Sequence, residues 1–186
     1  SHFKRYTAFV VERLGDLGSE YITINEPNVL LLNGYGAGLW PPGKKDLPLA
    51  YKGFVNMSHC HMAAYELIHK IRRQRGFAGK TMVGVANHLR VFDPLRKGHT
   101  PDSFIAEKQQ FFFQDAFADY MTTGTLPFPA RLFVPQGHEG HYADFIGINY
   151  YSRNIVNAVD LKPFVQPDRP VNDLGLSLIH ISEPTR

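Results

Sequence analysis

The sequence predicts an α/β chain that forms part of a (β/α)8 barrel, and three observations carry that reading. Stretches with helical periodicity alternate three times with short runs rich in β-branched and aromatic residues. The first such run, Tyr21-Ile22-Thr23-Ile24-Asn25-Glu26-Pro27, delivers a carboxylate and stops on a proline that cannot donate to a sheet ladder. Barrel enzymes hold their catalytic groups at the carboxyl ends of strands, which makes Glu26 the first candidate for chemistry. A doubly wound dinucleotide fold would need G-x-G-x-x-G between a strand and a helix. Here Gly34, Gly36 and Gly38 trail Glu26 by several residues and lead into prolines.

Taken in order, Phe3, Tyr6, Val10 and Leu14 recur at spacings of three and four and predict a helix over 3–14, closed by Gly15 and Gly18. After the strand at 21–26, the stretch Gly34 to Gly43 is too rich in Gly and Pro for a regular element and reads as a long functional loop. Phe54, Met57, His61, Ala64, Tyr65, Ile68 and Ile71 predict a longer helix over 49–75 that Gly76 and Gly79 terminate. Thr81 to Asn87 reads as a buried strand ending in Asn87-His88, with loop from Phe92 to His99. Thr100-Pro101-Asp102 opens a third helix, with Thr100 as cap and Pro101 in the first position, running to about Met121. A loop with Pro127, Pro129 and Pro135 leads to a last strand over 144–151, and no element is predicted beyond Ser152. Parallel strands with right-handed crossovers are expected. Three strands fall short of the eight strands and about 250 residues of a complete barrel.

Composition sets the remaining bounds. With 186 residues, 44% of them hydrophobic, the chain can bury a proper core. It has no apolar run of membrane-spanning length and no secretory leader pattern, so neither membrane nor export is expected. Ser1 stands where an initiator Met would, and the helical pattern starts at once, which suggests numbering from inside a larger gene product. The single Cys60 excludes an internal disulfide and fits a reducing, cytoplasmic compartment. A formal charge of +3 is mild, and Lys70, Arg72, Arg73, Arg75 and Lys80 are explained as cations favoured at a helix C-terminus without invoking nucleic acid. His59, Cys60, His61 and His69 invite a metal, but only His61 and His69 share a helix face, two turns apart and too distant for one ion. No metal or organic cofactor is expected.

The three strand ends offer Asn25 and Glu26, then Asn87 and His88, then Asn149, Tyr150 and Tyr151. Amides, phenols and one carboxylate suit a ligand with many hydroxyls, such as a sugar, whereas a phosphate would call for glycine amides or arginines. Trp40 would stack on such a sugar or brace Pro41-Pro42. The segment Gly15-Asp16 through Tyr21–Pro27, followed by Gly34-Tyr35 and Pro42-Gly43, resembles family 1 glycoside hydrolases of the β-glucosidase and β-galactosidase type. Phe145-Ile146-Gly147-Ile148-Asn149-Tyr150-Tyr151 resembles the sixth strand of the same family, and Asp173-Leu174-Gly175 the start of a further motif.

That resemblance implies that residues 1–175 run from the helix before barrel strand four to just past strand six. It implies a retaining mechanism on terminal β-glycosides, most readily β-glucosides, with paired carboxyl groups about 5–5.5 Å apart. Glu26 matches the acid/base, Asn25 the residue that hydrogen-bonds the sugar 2-hydroxyl, Asn149 a pocket amide, and Tyr151 the phenol that holds and tunes the nucleophile. In such sites partial burial and the anionic nucleophile keep the proton donor protonated near neutral pH. The nucleophile belongs to strand seven, in a Glu-Asn-Gly motif absent here, so the 186 residues alone are expected to hydrolyse nothing. Asn28, two positions past Glu26, borders the aglycone side by the same resemblance. Asn87 and His88 match no family role and are read as pocket lining. The alternative is a non-catalytic glycan- or protein-binding barrel, and a dehydrogenase is disfavoured by the missing phosphate loop. Residues 176–186 resemble translated sequencing adapter and are set aside as a non-native tail.

Overall fold

The computed structural model describes residues 2–159, with the backbone of 164 and 165; the segment read as a non-native tail lies outside the described residues. The elements are α1 (His2–Leu14), β1 (Glu20–Asn25), α2 (Pro27–Leu31), α3 (Leu47–Arg75), β2 (Met82–Pro94), α4 (Thr100–Gln110), α5 (Ala116–Thr123), β3 (Phe145–Val156) and β4 (Phe164–Val165). Strand order in the sheet is β1-β2-β3-β4. The chain divides into two compact units, residues 1–87 with 116–147, and residues 88–115 with 148–186.

In the first unit β1 and β2 are parallel, as the alternating pattern requires, with Glu20 opposite Met82, Tyr21 opposite Val83 and Ile22 opposite Gly84. The apolar stripes of α1 and α3 meet over the start of this ladder. Val11, Ala64, Ile68, Ile71 and Val83 are buried together there, with Phe3, Tyr21 and Leu67 against them. A second cluster, Leu31, Val85, Phe117 and Met121, gathers α2, β2 and α5, with Ile24, Phe54 and Met57 packed on it. Gly84 is glycine because β2 runs close to β3: a Cβ there would sit 2.3 Å from the Phe145 carbonyl oxygen. The inward face of α1 is Phe3, Thr7 and Val11, so Tyr6 and Leu14 of the expected stripe are exposed instead, together with Phe9.

Arg72 departs from its expected place among surface cations. It is 1% exposed, and its guanidinium donates to the carbonyls of Gly15 and Gly18, to the carbonyl of Ala78 and to Thr81 Oγ1. One rigid fork of donors thus satisfies both the turn that leads into β1 and the turn that leads into β2. Its neighbours Lys70, Arg73, Arg75 and Lys80 are exposed, as cations near a helix C-terminus should be. Gly76 closes α3 in the left-handed region at φ 65°.

A second polar tie holds the start of β3. Asp144 accepts the Val83 N–H and the His69 Nε2 at 2.8 Å each, and the Tyr65 hydroxyl at 3.1 Å. Burial alone would raise its pKa, but these hydrogen bonds outweigh burial and hold it below the ordinary carboxylate value.

The second unit extends past the sequence reading. β2 continues through Pro94 where a loop was expected from Phe92, and β3 continues to Val156, where it pairs with β4 in antiparallel register. The buried carboxylate of Asp102 organises this end. It accepts from Arg96 Nε at 2.8 Å, Arg96 Nη2 at 2.9 Å and the Ala158 N–H at 2.9 Å. Arg96 first, and the two backbone donors after it, hold the Asp102 pKa far below the usual range. The cap of α4 is His99, whose Nδ1 accepts the Asp102 N–H, and not Thr100. The third helix is also interrupted: a π-helical turn, Phe111–Asp115, separates α4 from α5.

Replacing Arg72 with methionine keeps the aliphatic stem, strands the Ala78 carbonyl and leaves the Gly15 and Gly18 carbonyls to share the Tyr21 hydroxyl. Arg72→Met should lower stability by about 2–4 kcal/mol, measured by urea unfolding, and Arg72→Lys should recover less than half of that loss.

Candidate active site

Glu26 sits where β1 ends and α2 begins. Its N–H donates to the Ala86 carbonyl at 2.7 Å, continuing the ladder one residue past the pairing of Asn25 with Ala86. Its own carbonyl accepts from the Val29 and Leu30 N–H groups and so starts α2. Between these roles the backbone turns into the left-handed region, φ 49° and ψ 52°. Among the described residues Glu26 is the only non-glycine at positive φ. A glutamate there costs on the order of 1–2 kcal/mol, and strain of this kind persists where surrounding structure imposes it, often at functional sites. Pro27 follows at the first helical turn, where its missing N–H is not needed.

The approach to Glu26 is irregular as well. From Ile22 to Asn25 the first strand advances three residues while β2 advances two, from Gly84 to Ala86, a bulge that re-aims the strand end. Under it, Thr23 Oγ1 lies 2.6 Å from His61 Nδ1 and donates to the Gly84 carbonyl. His61 is fully buried, and that burial lowers its pKa to about 4. It is therefore a neutral prop beneath the strand end. His69, on the same helix face, is committed to Asp144. Among the described residues no three His, Cys, Asp or Glu side chains gather in a way that could hold a metal ion.

Glu26 is half-buried and Asn25 exposed, side by side at the end of β1. Asn28 is 2% exposed inside α2, which places it in the packing of the first unit. The stretch read as a loop from Gly34 begins instead as helix, with α2 passing into a π-helical turn over Leu32–Gly36. Beyond it the Leu39 and Trp40 N–H groups both donate to the Asn33 carbonyl, and Trp40 is half exposed. Sequence periodicity gave no signal for this helix, because it is only five residues long before the turn widens.

In the second unit Asn149 and Tyr151 are both half-buried on β3, two residues apart and therefore on one face of the strand. Tyr151 packs edge-on against His88, with ring centroids 4.7 Å apart. This pairing joins a residue expected to hold the nucleophile by resemblance to one read as pocket lining.

A sequence profile described as Glycosyl hydrolase family 1 matches residues 1–172. The chain belongs to glycosyl hydrolase family 1. Its similarity to family members extends along nearly its whole length: it is 26% identical to β-glucosidase A of Thermotoga maritima over 95% of this chain and 42% of that protein. It is 27% identical to a β-galactosidase of Pyrococcus woesei, over 95% of this chain and 40% of the relative. The chain thus spans about two fifths of the relatives it matches. A solved structure of a Thermotoga maritima β-glucosidase in complex with castanospermine shares the fold at a TM-score of 0.75, with 23% identity, covering 95% of this chain and 41% of that one. The fold is accordingly a partial (β/α)8 barrel.

Two outcomes test this geometry. Glu26→Gly removes the left-handed strain at some entropic cost, so unfolding should show a gain of about 1 kcal/mol. The second concerns pH. His61 titrates at about 4 when folded and near 6.5 when unfolded, so as pH falls the unfolded chain binds the proton first. The stability this group contributes is complete above pH 6.5 and is lost down to about pH 4, up to about 3 kcal/mol. Urea midpoints across that window should flatten in His61→Gln.

Proposed function

We propose that the protein to which this chain belongs hydrolyses terminal β-glycosides, most readily β-glucosides, with retention of configuration and with Glu26 as acid/base. The observation that carries this reading is the position of Glu26: a half-buried carboxylate at the carboxyl end of a barrel strand, held at φ 49° by a ladder hydrogen bond behind it and a helix start ahead. A barrel enzyme puts its reacting groups at that end of the strands. The relatives named above, a β-glucosidase and a β-galactosidase, support the substrate class.

In the first step the Glu26 carboxyl donates its proton to the glycosidic oxygen as the bond from that oxygen to the anomeric carbon breaks. The aglycone leaves as a neutral alcohol, and the anomeric carbon bonds to a carboxylate supplied by sequence outside these residues. In the second step the Glu26 carboxylate takes a proton from water while the water oxygen attacks the anomeric carbon and releases the enzyme carboxylate. The Asn25 amide donates to the sugar 2-hydroxyl, a contact that tightens as positive charge develops on the ring. Asn149 contributes a further amide to the pocket, and the Tyr151 hydroxyl donates to the nucleophilic carboxylate.

The test is made on the complete gene product. Glu26→Gln should lower kcat about a hundred- to ten-thousand-fold on an alkyl β-glucoside, whose leaving group needs the proton. With 2,4-dinitrophenyl β-glucoside, whose leaving group does not, formation of the glycosyl-enzyme should be largely spared. Equal losses on both substrates would remove Glu26 from the acid role. The 186-residue chain alone should give only background rates, and turnover by it would contradict the assignment of the nucleophile to another part of the protein.

A further inference from the structure

In the second unit the Tyr151 ring is packed in an arrangement with His88, Phe113 and Arg90, none of which the scheme above uses. His88 lies on β2 and is 7% exposed. Its ring meets the Tyr151 ring at 4.7 Å with an interplanar angle of 61°, and the Phe113 ring at 5.4 Å and 86°. Arg90 Nε donates to His88 Nε2 at 3.0 Å, and the Arg90 guanidinium carbon lies 4.7 Å from the Phe113 ring centroid. Gln114 Oε1 accepts the Arg90 N–H at 2.7 Å. Phe113 and Gln114 both come from the π-helical turn over Phe111–Asp115, whose wider spiral carries successive side chains out of α-helical register.

The chemistry of the pair fixes the state of the ring. A guanidinium has donors only, so the His88 nitrogen that faces it presents a lone pair, and the ring hydrogen sits on Nδ1. His88 is therefore oriented, as a fixed edge against the phenol of Tyr151.

We propose that His88, locked by Arg90, is a positioning residue that sets the angle of the Tyr151 phenol. The inference rests on the role given to Tyr151 under the proposed function. A phenol that must donate to a nucleophilic carboxylate has to be held within a fraction of an ångström, and displacement of about 1 Å can cost about a hundredfold in rate.

The complete protein decides it through two independent readouts. In kinetics on 2,4-dinitrophenyl β-glucoside, His88→Ala should lower kcat about ten- to a hundredfold with KM within about twofold, because the defect is on the nucleophile's side and not in proton donation. His88→Phe, which keeps a ring edge against the phenol, should recover most of that loss, whereas a merely destabilised enzyme would show a lowered Tm in both variants. In NMR of tyrosine-labelled protein, the Tyr151 ring signals, assigned with Tyr151→Phe, should shift in His88→Ala and return toward their original positions in His88→Phe. Unmoved Tyr151 signals, or a His88→Ala kcat within twofold of the unsubstituted enzyme, would overturn the proposal. Absence of any β-glycoside turnover in the unsubstituted protein would instead overturn the functional reading, and the NMR comparison would still decide whether His88 places the Tyr151 ring.

Discussion

The hydrogen bond from the Glu26 N–H to the Ala86 carbonyl is the constraint on which the candidate site depends. It keeps residue 26 in the sheet after the bulge has shifted the register, and the helix that starts on the Glu26 carbonyl pulls the chain away at once. A residue held from both sides has one conformation left, here a left-handed one that glutamate would not choose. The carboxylate is aimed by the backbone as much as by its own rotamer. Buried His61 and Thr23 support the strand just before this turn without bringing a charge beneath it.

Three charged side chains, the buried Arg72 and Asp102 and the partly buried Asp144, hold the connections between elements by collecting backbone groups. Arg72 collects carbonyls, Asp144 collects the N–H of Val83, and Asp102 collects the N–H groups of Arg96 and Ala158. Burying a charge is tolerable where it is paired and hydrogen-bonded: Asp102 is paired with Arg96, whereas Arg72 is met by carbonyl and hydroxyl oxygens. Strands in such folds are joined by long crossovers, so the turns carry much of the register information that a hairpin would otherwise supply.

Much of this could be read in the residues. The long helix over 49–75 repeats apolar side chains over many turns, and its start and stop lie within two residues of the expected places. β1 alternates cleanly and ends on Glu26-Pro27. Other features left no local trace. The π-helical turns at Leu32–Gly36 and Phe111–Asp115 differ from α-helix by hydrogen-bond offset and not by composition. β2 runs on through Arg90, Val91 and Phe92, where polar residues and a following Pro masked a strand. Arg72 looked like one of five surface cations, because its partners are carbonyls, which no sequence pattern displays. The family motifs singled out Glu26, Asn25, Asn149 and Tyr151, but the ring beside Tyr151 comes from another strand and emerges only in three dimensions.

Arg72 also couples events that would otherwise be separate. Its guanidinium binds carbonyls from residues 15 and 18 on one connection and from residue 78 on another, far along the chain. If either connection frays, a buried cation loses partners it shares with the other, so the free energy of opening one includes part of the cost of opening both. Two successive helix–strand repeats thereby share part of the free energy that resists their opening.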